Sequence, residues 1–273
     1  MPIRVCVAGV SGWTGGELAR AVLASPEFEL TGAIARRCAG RDVGEVLGVA
    51  TTDVSVSGTL AEALARPADV LVDYTSPGSV KARTLEALSH GVRVVVGTSG
   101  LTAADYADIE KAASAAVLGV IAAGNFSLTA ALAKHLALIA AKYLPAREVI
   151  DYAGAAKPDA PSGTARELAE ALGAVGPAEL AVPIAQTHGS PETRGATIGD
   201  TQVHSVRLPG FVLAFEALFG LPHERLTIRH DAGSSATPYV HGTLLAMRRV
   251  MEVTGLIRGL DRLLFGPASG IPS

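Results

Sequence analysis

The chain has 273 residues, carries a formal net charge of -3, and is 49% hydrophobic against 18% charged. That is ample for a buried core, in one large domain or two modest ones. The near-neutral charge and the 4% aromatic content give no electrostatic or stacking basis for nucleic acid or an anionic membrane. The sequence opens without a leader-like pattern and no run reaches the ~18 apolar residues of a spanning segment. A soluble, cytoplasmic protein is expected. Cys6 and Cys38 are too far apart to suggest a disulfide framework, and no histidine pair has metal-ligand spacing, so no metal is expected.

The first element, "IRVCVAGV", is short, β-branched and bounded by glycine, the mark of a buried strand. "GGELARAVLAS" then takes helical spacing. Between them Gly9, Gly12 and Gly15 form a G-x-x-G-x-x-G turn, with Ser11, Trp13 and Thr14 in its course. Glycines let the backbone approach a pyrophosphate, and the helix start offers free N–H groups, so the context predicts dinucleotide binding. The second strand, "FELTGAIA", ends not in an acid that would grip ribose hydroxyls but in Arg36 and Arg37. Guanidinium groups there suit a 2′-phosphate, so NADPH is expected in preference to NADH, with Arg36 the leading candidate.

Strands and helices then alternate: "LAEALARP" helix, "ADVLVDYT" strand, "GSVKARTLEALSHG" helix, "VRVVVGTSG" strand, "AADYADIEKAASA" helix, "VLGVIAAGNFS" strand. Continuous apolar strands between helices predict a parallel sheet covered on both faces over residues 1–125, a Rossmann-type α/β domain. Ligands in such sheets lie beyond the carboxyl ends of the strands. Thr75, the Gly97-Thr98-Ser99 turn and Gly124-Asn125-Phe126 therefore join the candidate cofactor site.

Residues 126–239 read differently: one long apolar helix up to Pro145, a strand "AREVIDYAGA", a helix from Ser162, and strand-like runs "TQVHSVRLPG", "FVLAFEALFG" and "ERLTIRHDAG". This predicts an α+β substrate and oligomerisation domain with a mixed or antiparallel sheet and helices on one face. A last helix over about 240–273 is expected to pack back on the first domain. Within "KPDAPSGTARELAE", Ser162, Gly163 and Thr164 start a helix, and Lys157 stands five residues ahead. The helix start and the ammonium suit a small anion, although serine and threonine also cap helices for backbone reasons alone. His204 and His230 fall in predicted strands and are candidates to approach the substrate.

Taken in order, "VAGVSGWTGGEL", "DYTSP", "VVVGTSG", "GNFS", "KPDAPSGTA" and "ERLTIRHDA" resemble the 4-hydroxy-tetrahydrodipicolinate reductase (dihydrodipicolinate reductase) family over nearly the whole chain. The resemblance implies NAD(P)H-dependent reduction of a small anionic cyclic imine in lysine biosynthesis, by a homotetramer built through the second domain's sheet. It assigns the pyrophosphate to Gly9, Gly12 and Gly15, the adenosine side to Arg36, and the nicotinamide side to Gly97, Thr98, Ser99, Asn125 and Phe126. It assigns the substrate carboxylate to Ser162, Gly163 and Thr164, and makes Lys157 the substrate-binding and candidate catalytic residue.

The departures are equally definite. The family's histidine-rich stretch before the lysine is Ala153-Gly154-Ala155-Ala156 here, with alanine where a proton-donating histidine is expected. The pattern R-x-G-D-x-x-G-E-H is replaced from Arg207 onward by largely apolar residues, Trp13 stands where arginine is usual, and the arginine after "H-x-A" is missing. Three accounts stay open. Lys157 or a water replaces the acid; the substrate is a different, less polar imine or double bond; or the chain binds nucleotide without turnover. A semialdehyde dehydrogenase, which shares the glycine turn, is set aside because it needs a nucleophilic cysteine in the second half.

Overall fold

Buried strands of valine and isoleucine, each ending in a small or polar turn, build the first half of the molecule. The computed structural model describes residues 1–266. In chain order, β1 (Ile3–Ala8), α1 (Trp13–Ala24), β2 (Phe28–Ile34), α2 (Val43–Leu47), β3 (Val56–Ser57), α3 (Leu60–Ala63), β4 (Val70–Asp73), α4 (Pro77–Ser89), β5 (Arg93–Val96), α5 (Ala103–Ala116) and β6 (Gly119–Ala122) come first. They are followed by α6 (Leu128–Ala141), β7 (Arg147–Ala153), α7 (Gly163–Val175), β8 (Ala196–Ile198), β9 (Thr201–Arg207), β10 (Leu213–Leu221) and β11 (Glu224–Ala232). The described part closes with α8 (Thr237–Arg249), β12 (Gly255–Arg258) and α9 (Leu260–Phe265). Two units result: Met1–Leu128 with Ala236–Leu263, and Thr129–Ser235 with the described residues from Leu264 onward.

The first unit is a seven-stranded sheet in the order β12-β6-β5-β4-β1-β2-β3, with every pair parallel. This is the Rossmann-type sheet that the continuous apolar strands predicted. Local sequence fixes the helix starts. Thr59 with Glu62 and Thr102 with Asp105 form reciprocal capping boxes, and Asp42 caps α2 through the Gly44 and Glu45 amides. The C-terminal expectation needs correcting. The helix from Thr237 stops at Arg249, and a short strand, β12, then adds to the sheet beside β6. The four residues of β12 give too short a run to signal themselves; the Leu256 amide is held by the Glu110 carboxylate at 2.6 Å. The part of the expected helix beyond 266 lies outside the described residues.

The second unit is a five-stranded sheet, β11-β10-β7-β9-β8. It is mixed: β7 and β9 run parallel, and the other pairs are antiparallel. The reason is α7, which lies between β7 and β9 and makes them a strand–helix–strand crossover. α6 and α7 cover one face, where Ala133, Ala137, Leu138, Leu168, Ala169 and Leu172 pack against Val149, Val203, Phe215, Ala217 and Phe219. α6 ends at Ala141, before Pro145.

Under α7 sits Arg147, 3% exposed, with its guanidinium donating to the carbonyls of Leu172 (3.1 Å) and Gly176 (2.5 Å) and to Thr201 Oγ1 (3.2 Å). A cation at a helix C-terminus meets the partial negative charge of the last carbonyls. Arg147→Met should leave those acceptors buried and unpartnered and cost about 1–3 kcal/mol. Urea unfolding followed by circular dichroism should show a lower midpoint at an unchanged slope.

Candidate functional site

Because the first sheet is parallel, the turns after β1, β2, β4, β5 and β6 all open on one edge. The first is the glycine turn. Gly9 has φ +92°, and a Cβ on it would overlap the Tyr74 carbonyl; a Cβ on Gly15 would overlap the Gly9 carbonyl. Gly12 caps α1 without a side-chain bond, and no acid stands in the first helical turn. Among the described residues nothing accepts from the amides of Ser11, Trp13, Thr14 or Gly15. A tight turn with four unspent N–H donors fits a dinucleotide pyrophosphate. Trp13 is 55% exposed, its ring edge-on to Tyr239 at 5.8 Å.

After β2, Arg36 and Arg37 begin a single 3-10 turn. Both are exposed, and among the described residues neither has an ion-pair partner. Cys38 is buried in that turn.

The ends of β4 and β5 are tied together by Asp73, which is fully buried. One of its oxygens accepts from the Thr75 amide (2.9 Å), the Thr75 hydroxyl (2.6 Å) and the Thr98 hydroxyl (3.0 Å). The other pairs with Arg83 at 2.5 Å. Thr98 Oγ1 in turn accepts from the Thr75 amide at 2.8 Å. The polar groups of Thr75 are thus spent inside the protein. Gly97 is small because the ring of Tyr74 lies where a Cβ would go. Burial pushes the Tyr74 phenol well above its ordinary value, and the hydroxyl shares a 2.6 Å bond with Thr243. Ser99 and Gly124 are exposed at the edge, and Asn125 Oδ1 accepts from the Ser127 amide at 2.8 Å. Phe126, expected beside a nicotinamide, is 1% exposed, and its ring packs edge-on to Tyr74. Its side chain is part of the core.

In the second unit β7 ends at Ala153, which is fully buried. The chain turns at once, with the Lys157 amide donating to the Gly154 carbonyl at 3.0 Å. Lys157 Nζ pairs with Asp159 at 2.8 Å. Burial works to raise the Asp159 carboxyl, but the Lys157 hydrogen bond and charge outweigh it and hold it below the ordinary value. Ser162 caps α7, accepting from the Ala165 amide at 3.3 Å. It is also consumed from below: its amide and hydroxyl donate to the two oxygens of Asp151, at 2.8 and 2.6 Å. Asp151 is fully buried and also accepts from Ser205 (3.3 Å) and Arg207 (2.7 Å). Of the expected cradle, the Gly163 amide has no acceptor among the described residues, and Thr164 follows it on the first turn of the helix.

The strand histidines sit on opposite faces of the sheet. His204 is in register with Ile150 and Glu216, and its ring bonds Glu148 at 2.8 Å. His230 lies in the row Ser205–Asp151–Phe215–His230 on the helix-covered face. It stacks on Phe215 and bonds Thr129 at 3.1 Å, and burial holds its imidazole below the ordinary value. Asp73, Arg83 and Asp151 escaped the sequence reading. For Asp73 a local signal existed, since Asp-x-Thr is an Asx-turn pattern. For Asp151 and Ser162, eleven residues apart, none did.

Two family models share the chain between them: dihydrodipicolinate reductase, N-terminus, over residues 3–126, and dihydrodipicolinate reductase, C-terminus, over residues 126–264. The chain belongs to the dihydrodipicolinate reductase family. It is an NAD(P)H-dependent oxidoreductase of the kind that serves lysine and diaminopimelate biosynthesis. It is 38% identical over 269 residues to the 4-hydroxy-tetrahydrodipicolinate reductase of Desulfitobacterium hafniense (strain DSM 10664 / DCB-2), covering 96% of this chain and 98% of that protein. It is 36% identical to that of Thermosynechococcus vestitus over 96% of this chain and 97% of the relative. The dipicolinate-bound dihydrodipicolinate reductase from Paenisporosarcina sp. TG-14 superposes with a TM-score of 0.80 at 31% identity, covering 96% of this chain and all of that one. An amine dehydrogenase from Mycobacterium smegmatis shares the fold, with a TM-score of 0.69 at 18% identity over 96% of each chain.

For this member of the dihydrodipicolinate reductase family, two glycines of the candidate cofactor edge should both resist substitution. Gly15→Ala puts a methyl group into the Gly9 carbonyl, inside the turn itself, and Gly97→Ala puts one into the Tyr74 ring. Each should lower the melting temperature and weaken NAD(P)H binding. A fluorescence titration paired with a thermal melt checks both.

Proposed function

We propose that this protein reduces a small anionic cyclic imine with NADPH, as the relatives named 4-hydroxy-tetrahydrodipicolinate reductase would, through a site that lacks a histidine acid. The observation that carries the reading is the loop from Gly154 to Gly163, where an ammonium, Lys157, and an unspent helix N-terminal amide, Gly163, belong to one turn-and-helix segment. Such a segment binds a carboxylate by charge and by directed N–H donors.

When bound, the nicotinamide supplies the hydride. The residues of this chain bind, orient and polarise. Ser11, Trp13, Thr14 and Gly15 offer backbone donors to the pyrophosphate. Arg36 and Arg37, exposed and without carboxylate partners, meet the 2′-phosphate, which favours NADPH over NADH. The turns holding Gly97, Thr98, Ser99, Gly124 and Asn125 border the nicotinamide side. Gly163, Thr164 and Lys157 hold the substrate anion, while Ser162 supports them from beneath. With Ala153 buried and unable to donate a proton, the Lys157 ammonium is the proton-bearing side chain of this loop, and water is its rival.

A second reading is favoured by Phe215 and Ala153. On the helix-covered face of the sheet, Phe215 fills the position where the family pattern ends in histidine. A less polar imine or double bond would suit that change. None of the described helices is long and apolar enough to cross a membrane, and a cytoplasmic location is proposed from the likeness to enzymes of lysine biosynthesis. It is expected to assemble as a homotetramer through the sheet face that carries Ile150, Tyr152, Val206 and Leu218, opposite α6 and α7.

NADPH oxidation with the condensation product of aspartate semialdehyde and pyruvate tests the reading. Robust turnover supports it, and turnover only on less polar imines supports the second. Lys157→Ala should raise KM for the imine while leaving NADPH affinity unchanged. Lys157→Arg keeps the charge but holds its proton throughout the accessible pH range. It should restore KM and not kcat if the ammonium is the acid, and both if water is.

A further inference from the structure

We propose that Arg207 is a positioning residue for the anion-binding loop, acting through Asp151 and through the backbone of Asp159. It makes no contact with the ligand in this role. The inference rests on the proposed function only for the identity of the anion.

One nitrogen of its guanidinium, Nη2, donates both to Asp151 Oδ2 and to the Asp159 carbonyl, each at 2.7 Å. The first contact lies in the sheet and the second in the loop between Lys157 and Ser162. Asp151 then reaches that loop's far end, taking the Ser162 amide and hydroxyl. The segment is therefore pinned at Asp159 by Arg207 and at Ser162 by Asp151, and Arg207 and Asp151 are themselves paired. Ser205 adds a third donor to the carboxylate from the neighbouring strand. The two ends of the pinned stretch fix what lies beside them: Lys157, bound to Asp159, and Gly163, the first residue of α7.

The arrangement has two chemical consequences. A carboxylate with no solvent contact is costly unless it is paired and hydrogen-bonded. Asp151 is satisfied only with the loop in this position, so the loop is held by the cost of releasing it. The hydroxyl and amide of Ser162 are also removed from the ligand's reach. The anion is then left to Gly163, Thr164 and Lys157, with Ser162 as part of the support. Arg207 has one guanidinium N–H, at Nε, that is buried and without a partner. It is accordingly placed by its two Nη2 bonds and by the Val206 carbonyl, which accepts from Nη1 at 2.9 Å.

The test uses the full-length protein and two substitutions, Arg207→Lys and Arg207→Met. Lysine keeps the charge and loses the planar fork; methionine loses both. Pyridine-2,6-dicarboxylate serves as the anion probe, by calorimetry in the presence of NADPH, and hydrogen exchange is followed on the ligand-free protein. For Arg207→Lys we expect affinity for the probe to fall about tenfold, the scale of one charge-assisted hydrogen bond. NADPH affinity should stay unchanged. Exchange over residues 157–164 should quicken while the buried turns of α7 around Leu168 stay protected. If Arg207→Met does not fold, Arg207→Lys alone decides. Unaltered exchange in the loop, or equal weakening of probe and NADPH, would overturn the positioning role. If the wild-type protein fails to bind the probe at all, the proposed function falls, and loop exchange still judges Arg207.

Discussion

Two carboxylates that see no solvent hold the loops of this protein where a ligand would meet them. Asp73 and Asp151 each stand at or near the carboxyl end of a strand. Each takes an amide and a hydroxyl from a single residue, Thr75 or Ser162, and each is closed by one arginine, Arg83 or Arg207. A buried carboxylate loses several kcal/mol of hydration, which only a matched cation and a full set of donors offset. Once the set is complete the same energetics work in reverse, because pulling the loop away strands the charge. Rigid loops result, and rigidity at a binding edge limits the ordering cost that association otherwise carries.

How much of this was readable follows from how local each interaction is. The glycine turn and the alternating strands and helices are set within a few residues, and the sequence patterns located them. β3, β8 and β12 are two to four residues long and exist because a neighbouring strand offers a ladder. Nothing in "GLIR" distinguishes a strand from a loop until β6 is beside it. The parallel pairing of β7 with β9 had the same origin, since it depends on where α7 lies.

The candidate site divides along the same line. Arg36, Arg37, Ser11, Trp13 and Gly163 stay outward-facing or unspent, as a ligand site requires. Phe126 and Ser162 do not. Residues that make good ligand contacts also make good internal ones, since serine at a helix start satisfies an anion or the helix itself by the same geometry. Sequence sees the residue type, and only the fold shows which partner arrived first. At Ser162 it was Asp151. At Gly97, small size is explained by the ring of Tyr74, whatever ligand lies beyond.

The bareness of Ala153 to Ala156 has a physical reading in the same terms. Ala153 is in register with Arg207 on one side and Leu213 on the other. Arg207 runs from that row to Asp151 and to the Asp159 carbonyl. On our proposal this row supplies the clamp and no proton donor: Ala153 is buried and apolar, while Arg207 is held by Asp151 and the Asp159 carbonyl. On our proposed function, an iminium is electrophilic before any enzyme acid acts, so the loss of a donor would lower the rate by the ~10²–10⁴ typical of such groups and would leave the electrostatic part of catalysis in place. On that proposal a positive loop held still by buried charge would carry more of the work than proton transfer does.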